Sequence, residues 1–90
     1  MLEINFSNQA VKFLKKITGK PAKQLKKKII ELLENPYPQD SSKLQGFPYF
    51  RVDQGEYRII YFVEGHFLNI RVVGKRNDDE VYKKLTRSEK

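Results

Sequence analysis

Apolar and polar residues alternate along several stretches of the chain, and along others the apolar residues recur at helical spacing. Residues 2–6 alternate in the manner of a half-buried strand. Three later segments are rich in aromatic and β-branched residues, which predicts further strands. These segments are residues 49–53, 56–64 and 67–73. Two-residue breaks at 54–55 and 65–66 are short enough to join them as an antiparallel meander.

Between the first strand and the meander, apolar residues at three-and-four spacing predict two amphipathic helices. Ser7 is suited to cap the first helix and Gly19 to end it. Pro21 fits the first turn of the second helix, which is expected to end at Asn35 because Pro36 follows. The buried stripes would be Ala10, Val11, Leu14 and Ile17 in the first helix and Ala22, Leu25, Ile29, Leu32 and Leu33 in the second.

The rest of the chain completes an α+β pattern. The segment from Pro36 to Pro48 carries three prolines, a glycine and two serines, which predicts a loop. Asn77 and Glu80 have the spacing of a capping box and predict a short final helix to about Leu85. The predicted fold is therefore an N-terminal strand, a helical hairpin, a three-stranded antiparallel meander and a short C-terminal helix.

Length and composition narrow the class of protein. A chain of 90 residues is too short for a second core, so residues 1–90 are expected to form a single domain. The absence of cysteine excludes disulfides, thiolate metal sites and cysteine nucleophiles. No run of about 18 apolar residues occurs, and the first residues lack the pattern of a secretory signal. We therefore expect a cytoplasmic protein that does not enter a membrane.

The charge is strongly positive and unevenly distributed. Eighteen Lys and Arg residues against eleven Asp and Glu residues give a net charge of +7, which favours polyanionic partners. Eight lysines from Lys12 to Lys28 have no acidic residue among them. A basic surface that serves solubility alone normally mixes both signs, so the run favours a nucleic-acid surface centred on Lys23, Lys26 and Lys27. A solvated helix face opposite the apolar stripe would have a similar pattern.

The common catalytic sets are nearly absent. His66 is the one histidine and falls in a predicted turn, where it is expected to be exposed. The acids at 78–80 are expected to complement the positive end of the last helix, because no histidine or distant carboxylate pairs with them as a metal ligand. No glycine-rich phosphate loop occurs in the sequence.

Arginines on the meander are the remaining candidates. Arg51, Arg58 and Arg71 lie inside predicted strands, where a charged side chain must point to an open face or meet a partner. If the apolar face of its strand meets the helices, Arg58 projects from the exposed face. Arg76 follows the last strand, and Tyr82 lies shortly after it. From the residues alone, ordinary surface ion pairs and a phosphate site are equally good interpretations.

Two long segments, SKLQGFPYFRVDQGEYRIIYFV and FLNIRVVGKRNDDEVYKKL, resemble a known family. Together with the lysine-rich helical hairpin that ends in ENPYP, they closely resemble the RelE-like branch of the RelE/ParE toxin superfamily over nearly the whole chain. The pattern KL-x-G followed by G-x-YR-aliphatic-aliphatic-Y is specific for the superfamily. The ending GKRNDDEVY is more specific for its RNA-cleaving members.

The resemblance implies the toxin of a type II toxin–antitoxin system, with the helices packed on one face of the sheet. Such toxins cut messenger RNA in the ribosomal A site and are silenced by a RelB-like antitoxin protein. The reaction needs neither a metal nor a small-molecule cofactor, since the 2′-hydroxyl of the RNA attacks the adjacent phosphate. The expected ends are a 2′,3′-cyclic phosphate and a 5′-hydroxyl. Ribosomal RNA is then the expected partner of the lysine surface.

The resemblance also implies roles for individual residues. Arg51 would bind phosphate near the start of the meander, and Arg58 would steady the scissile phosphate. Arg76 would stabilise developing charge or assist the leaving oxygen. Tyr82 would contact the reacting nucleotide as general base or stacking partner. Asp53 departs from the family, because the best-known members place a second basic residue there, and its carboxylate is expected to weaken binding or mark a different substrate.

Lys43 and Lys75 are candidate substitutes for that missing basic residue in binding RNA. Two other functions stay open. One is a ParE-like toxin that binds DNA gyrase without catalysis, which the ending GKRNDDEVY disfavours. The other is a degenerate member that binds only its antitoxin or RNA, which the reversed charge at Asp53 keeps in consideration.

Overall fold

The computed structural model describes residues 1–76 and 82–83 and has the predicted α+β order. Its elements are β1 (Glu3–Phe6), α1 (Asn8–Lys16), α2 (Gly19–Glu34), β2 (Ser42–Lys43), β3 (Phe50–Gln54), β4 (Tyr57–Glu64) and β5 (Phe67–Lys75). The final helix predicted over 77–85 falls outside the described residues, apart from Tyr82 and Lys83, which are helical. In the described part of the chain, neither helix is long and apolar enough to cross a membrane.

All five strands form one sheet in the order β1-β5-β4-β3-β2. β3, β4 and β5 pair antiparallel through short turns, so the predicted meander is confirmed. β1 pairs parallel with β5, with Glu3 opposite Phe67. Two parallel strands must start at the same end of the sheet, so the chain has to return to that end after β1. The helices α1 and α2, which follow β1, form the first part of this connection. The local sequence pattern carries no information about this pairing.

One short strand lies inside the segment that was predicted to be a loop. β2 pairs antiparallel with β3 and places Ser42 opposite Arg51. The next residue, Leu44, donates its backbone N–H to the Tyr49 carbonyl at 2.8 Å and is only 7% exposed. Burial of Leu44 holds this segment against the edge of the sheet. The edge then supplies hydrogen bonds that proline and glycine content could not predict.

The link between the helices also differs from the prediction. α1 ends at Lys16, and Ile17 is extended and packs against the main core. Gly19 was expected to end α1 but instead begins α2, with a φ of +71°. Glycine adopts a positive φ readily, so this residue serves the sharp link between the helices.

Apolar side chains lie on both faces of the sheet. α1 and α2 cover one face and form the main core with it. The buried members of this core are Ala10, Leu25, Ile29, Leu32, Val52, Ile59, Tyr61, Leu68, Ile70 and Val73. The opposite face, which we call the open face, carries a smaller cluster. Its buried members are Leu44, Tyr49, Ile60 and Val72, with Phe47, Phe62 and Tyr82 packed against them.

Because of a β-bulge, residues of β5 pack on both faces of the sheet. The register of β4 with β5 shifts next to Ile60, where Arg71 is the extra residue. Because strand side chains alternate between faces, one extra residue reverses the alternation beyond it. Ile70 and Val73 therefore both lie in the main core, while Val72 lies in the cluster on the open face.

Side chains at the start of α1 hold this irregular part of β5. The Ser7 hydroxyl oxygen accepts the Ala10 N–H at 3.1 Å, which confirms Ser7 as the N-cap, and the hydroxyl donates to the Arg71 carbonyl at 2.6 Å. The Gln9 amide donates to the Val73 carbonyl at 3.0 Å and accepts the Val73 N–H at 3.1 Å. Gln9 thus bonds Val73 as a neighbouring strand would.

Replacing Gln9 by alanine tests this attachment. The Gln9→Ala substitution leaves both backbone polar groups of the buried Val73 without their partner, so we expect the free energy of unfolding to fall by about 2 kcal/mol. Urea denaturation measures the change, with the exposed loop variant Gln39→Ala as the control. Equal stability of the two variants would contradict the assigned role of Gln9.

Candidate active site

Arg58 points from the open face of β4, because its neighbours Tyr57 and Ile59 face the helices. Directly opposite on β3 lies Asp53. Nε of Arg58 donates to Oδ1 of Asp53 at 2.7 Å, and Nη2 donates to Oδ2 at 3.2 Å. This two-pronged arrangement is the strongest form of an arginine–carboxylate pair. The side chain of Arg58 is 14% exposed, so the pair is partly shielded from water.

The third nitrogen of the Arg58 guanidinium donates to Tyr82. Nη1 of Arg58 lies 2.6 Å from the Tyr82 hydroxyl oxygen, and Nη1 of Arg51 lies 3.3 Å from the same oxygen. The guanidinium carbon of Arg58 is also 5.8 Å from the centre of the Tyr82 ring. Guanidinium groups donate hydrogen bonds and accept none, so the phenol oxygen is the acceptor in both bonds.

Arg76 approaches the same carboxylate from the end of β5. Its Nη1 lies 3.6 Å from Oδ2 of Asp53, and its backbone N–H donates to the Glu56 carbonyl at 2.9 Å. The Arg76 side chain is 48% exposed and so is accessible to a ligand. The structure therefore brings Arg51, Arg58, Arg76 and Tyr82 together around Asp53, and we call these five residues the arginine cluster.

The charges of the cluster act strongly on one another. The hydrogen bonds from Arg58 lower the pKa of the Asp53 carboxyl, and the charges of Arg58, Arg76 and Arg51 act in the same direction against partial burial. The hydrogen bond to Asp53 in turn raises the pKa of Arg58. Asp53 is thus ionised at neutral pH, and three guanidinium groups surround this one carboxylate. The cluster keeps an excess of positive charge that can bind an anion.

A cleft of about 360 Å³ lies beside the cluster, and Arg51, Tyr82, Phe47 and Lys43 are among its lining residues. This volume is within the ~300–1,000 Å³ that ligand pockets commonly have. Lys43 is exposed on the edge strand β2, so the structure places this predicted RNA-binding residue at the rim of the cleft.

Lys75 is not brought to the cluster. It lies opposite Tyr57 in the β4–β5 ladder, and the Tyr57 ring contacts Phe13 of α1 at 5.8 Å between ring centroids. Residues directly opposite in a ladder share a face, so Lys75 starts from the helix side of the sheet. Arg76, the next residue, is the one that reaches the open side.

The predicted lysine surface lies on the helical side of the molecule. Lys23, Lys26 and Lys27 are exposed on α2, whereas the buried residues of that helix face the sheet. Lys28 belongs to the same run in the sequence but is only 13% exposed and pairs with Asp40 at 2.7 Å. The arginine cluster and the lysine surface are therefore on opposite sides of the sheet.

Neither a histidine nor a metal site belongs to the cluster. His66 is exposed in the turn between β4 and β5, at the far end of β4 from Arg58. In residues 1–76 and 82–83, no three histidine or acidic side chains gather as metal ligands would. The acids at 78–80, expected to complement the last helix, lie outside the described residues.

The sequence interpretation missed the central position of Asp53. Asp53 pairs with Arg58 because Gly55 and Glu56 form the two-residue loop of the hairpin, with Gly55 at a φ of +60°. The sequence pattern predicts the break one residue earlier, at 54–55, which would set Asp53 opposite Glu56. A two-residue loop that begins at the glycine was the signal that could have found the pair.

The chain matches the family model described as ParE toxin of type II toxin–antitoxin system, parDE, over residues 4–80. Among curated proteins, the mRNA interferase toxin RelE of Escherichia coli K12 is 34% identical in an alignment 84 residues long, and the alignment covers 88% of this chain and 87% of that protein.

Solved structures give the same assignment. The isolated E. coli RelE toxin superposes with a TM-score of 0.76 at 28% identity, and the match covers 100% of both chains. The toxin in the intact E. coli RelBE toxin–antitoxin complex matches with a TM-score of 0.75 at 29% identity, over 87% of this chain and 100% of that chain. The predicted fold and family resemblance are thereby confirmed.

The ionic link between Asp53 and the arginines predicts a specific pH dependence of stability. A carboxyl whose pKa is lowered by folding stabilises the protein above its unfolded pKa of about 3.9, and this stabilisation is lost as the pH falls through the folded pKa. Wild type is therefore expected to be more stable than Asp53→Asn at neutral pH, and the gap is expected to close under acid conditions. Urea denaturation across pH measures the gap.

The Glu64→Gln variant is the matched control, because Glu64 is an exposed acid at the far end of β4. Its gap from wild type should be small at every pH. A gap for Asp53→Asn that stayed constant from neutral pH to about pH 2.5 would contradict the ionic link.

Proposed function

Because the chain belongs to the RelE/ParE toxin superfamily of type II toxin–antitoxin systems, we propose that it is a messenger-RNA-cleaving toxin that acts in the ribosomal A site. The observation that carries this proposal is the meeting of Arg51, Arg58, Arg76 and Tyr82 at one point on the open face. The reaction is endoribonucleolytic and independent of metal. We place the protein in the cytoplasm, where ribosomes and messages are found.

The cluster suits phosphoryl chemistry because RNA carries its own nucleophile. Attack of the 2′-oxygen on the adjacent phosphorus creates a dianionic phosphorane, which guanidinium groups stabilise through charge-assisted hydrogen bonds. Nη2 of Arg58 donates one hydrogen to Asp53, and Nη1 of Arg58 donates one hydrogen to Tyr82. Each of these nitrogens carries a second hydrogen, which can be donated to a phosphate oxygen. Arg76 is exposed enough to grip the same group.

The ribosome supplies what a site of this kind lacks by itself. Alignment of a reacting group can be worth ~7–11 kcal/mol, so a message held in line by the ribosome needs little more than charge stabilisation and proton transfer. The lysine surface on α2 offers a separate contact for ribosomal RNA, and its position behind the sheet leaves the arginine cluster open to the message.

A RelB-like antitoxin is the proposed protein partner. An apolar groove of about 380 Å³ runs between β1 and α2, and its lining includes Ile4, Phe6, Ile30 and Lys26. Phe6 and Ile30 are 41% and 45% exposed and line the same groove, and a contiguous exposed apolar patch marks an interaction site. An amphipathic antitoxin segment with an acidic edge would cover this apolar surface and neutralise Lys26 and its neighbours.

The alternative function is a ParE-like toxin that binds DNA gyrase, since the family model that matches the chain carries the ParE name. The two functions differ in their cellular effect. Expression of a message-cleaving toxin arrests translation and leaves cut messages, whereas a gyrase poison causes DNA damage and filamentation. A degenerate member that only binds would produce neither cut messages nor DNA damage.

Two variants test the active site. Tyr82→Phe removes the hydroxyl that two arginines hold, and Arg76→Ala removes the accessible guanidinium, so each is expected to lower the cleavage rate about 100-fold or more. Primer extension on a defined message with purified protein, with and without ribosomes, measures cleavage and its position. Tyr37→Phe is the control, since Tyr37 is exposed outside the cluster. Full cleavage by both variants would remove the proposed site.

Charge reversal tests the lysine surface. The Lys23/Lys26/Lys27→Glu triple variant is expected to bind ribosomes more weakly and with a flatter dependence on salt, because fewer phosphate contacts release fewer counterions. Co-sedimentation with ribosomes over a range of salt concentrations measures both effects.

The matched control is Lys12/Lys15/Lys16→Glu, which makes the same change in net charge on exposed residues of α1. A larger effect of the α2 triple variant assigns the contact to that surface. Equal weakening by both variants would mean that the ribosome contact is not specific to Lys23, Lys26 and Lys27 and would contradict the assigned surface.

A further inference from the structure

The hydrogen-bond directions within the arginine cluster separate its two oxygen-bearing side chains. The Tyr82 oxygen accepts from Arg58 at 2.6 Å and from Arg51 at 3.3 Å. A phenol oxygen has two acceptor positions, and both are used by these cations. Neither bond uses the hydroxyl's own hydrogen. The neutral Tyr82 phenol therefore has its hydrogen available to donate, while both of its acceptor positions are occupied.

Asp53 has the opposite character. Each of its carboxylate oxygens accepts one bond from Arg58, and a carboxylate has about four acceptor positions. Its side chain is 33% exposed, so an incoming hydroxyl can reach it. Arg58 and Arg76, the two cations suited to hold the phosphate, both contact this carboxylate. A nucleotide bound by them would thus place its ribose beside Asp53.

The other members of the cluster cannot accept the proton. A guanidinium group donates hydrogen bonds and accepts none, so Arg51, Arg58 and Arg76 offer no acceptor for the proton. In the described part of the chain, Asp53 is the one carboxylate joined to this cluster by a hydrogen bond or an ion pair. His66 lies at the far end of β4.

We infer that Asp53 is the general base and Tyr82 the general acid of the cleavage reaction, an inference that rests on the proposed nuclease function. The 2′-hydroxyl proton passes to Asp53 as the 2′-oxygen forms its bond to phosphorus. The bond from phosphorus to the 5′-oxygen breaks, and that oxygen takes the Tyr82 proton. The resulting phenolate is stabilised by the hydrogen bonds from Arg58 and Arg51. The proton held by Asp53 then passes through water to the Tyr82 oxygen, which restores both groups.

This assignment reverses the expected effect of the carboxylate at position 53. A carboxylate beside the phosphate weakens anion binding, but it is deprotonated throughout the neutral range and needs no activation. The groups that face it are Arg51 on its own strand, Arg58 on β4 and Arg76 beyond β5, with Asp40 more distant. Arginine side chains, and aspartates whose pKa is lowered, keep a constant charge between about pH 6 and pH 8.5 in general. The base is therefore available at constant strength over this range.

Single-turnover cleavage of a message on programmed ribosomes, followed from about pH 6 to pH 8.5, tests the inference. The wild-type rate is expected to be nearly constant with pH. The cleavage rate of Asp53→Asn is expected to be lower than that of wild type by about 100-fold or more. This rate is also expected to rise about tenfold per pH unit, because hydroxide replaces the lost base. Asp53→Glu keeps a carboxylate and should retain a flat profile.

A message with a bridging sulfur at the 5′ position of the cleaved bond separates the two roles. Sulfur leaves without protonation, so this message should restore cleavage by Tyr82→Phe and leave the Asp53→Asn defect unchanged. Thermal unfolding of each variant, with Glu64→Gln as the charge-matched control, verifies that the proteins are folded.

The outcomes are distinct. If Asp53→Asn is slower but its pH profile stays flat, Asp53 is a positioning residue for Arg58 and the inference is overturned. A rate of Asp53→Asn equal to that of wild type would also overturn the inference. A wild-type rate that rises tenfold per pH unit would do the same without any variant, even if Asp53→Asn failed to fold. Absence of cleavage by the wild type at every pH would instead overturn the proposed function.

Discussion

The two-pronged ion pair between Asp53 and Arg58 is the interaction on which the site depends. It spans two neighbouring strands one residue away from their hairpin loop, so the backbone of β3 and β4 fixes both partners. Asp53 holds one edge of the guanidinium, and this directs the remaining nitrogen toward Tyr82. Arg76 reaches the same carboxylate from β5. A single carboxylate thereby organises side chains from three parts of the chain.

The pair is exposed to a ligand because the helices cover only one face of the sheet. α1 and α2 bury their apolar stripes against that face, and a small apolar cluster supports the other. The bulge at Arg71 reverses the alternation of side chains along β5, so residues of this strand pack on both faces of the sheet before Arg76 follows it. Ser7 and Gln9 at the start of α1 bond the strand just there. Packing on the helical side thus positions chemistry on the opposite side.

Features set by neighbouring residues could be predicted from the sequence. Ser7 as N-cap, the meander and the exposed direction of Arg58 all follow from local spacing and alternation. Features set by contacts distant in the chain could not. The strand at Ser42 depends on burial of Leu44, and the parallel pairing of β1 depends on the whole path of the chain. Local patterns hold no information about either.

The site shows the same division. Arginines within the predicted strands indicated that one face of the sheet is open. The family resemblance added Arg76 and Tyr82 to the predicted site. The side on which Lys75 lies depends on a register that the sequence pattern did not resolve. From the sequence, the charge of Asp53 indicates only a residue that opposes phosphate binding. Its hydrogen bonds show instead that it organises the arginines, which only the three-dimensional arrangement reveals.

The chemical nature of the ends left on the message tests the central claim most directly. Transfer through the 2′-hydroxyl, with guanidinium groups stabilising the phosphorane, leaves a 2′,3′-cyclic phosphate on one fragment and a 5′-hydroxyl on the other. Mass spectrometry of a short ribosome-bound message after incubation with the purified protein identifies these ends, and we expect both. Fragments with a 5′-phosphate and a 3′-hydroxyl would show that water attacked in place of the ribose and would contradict the account.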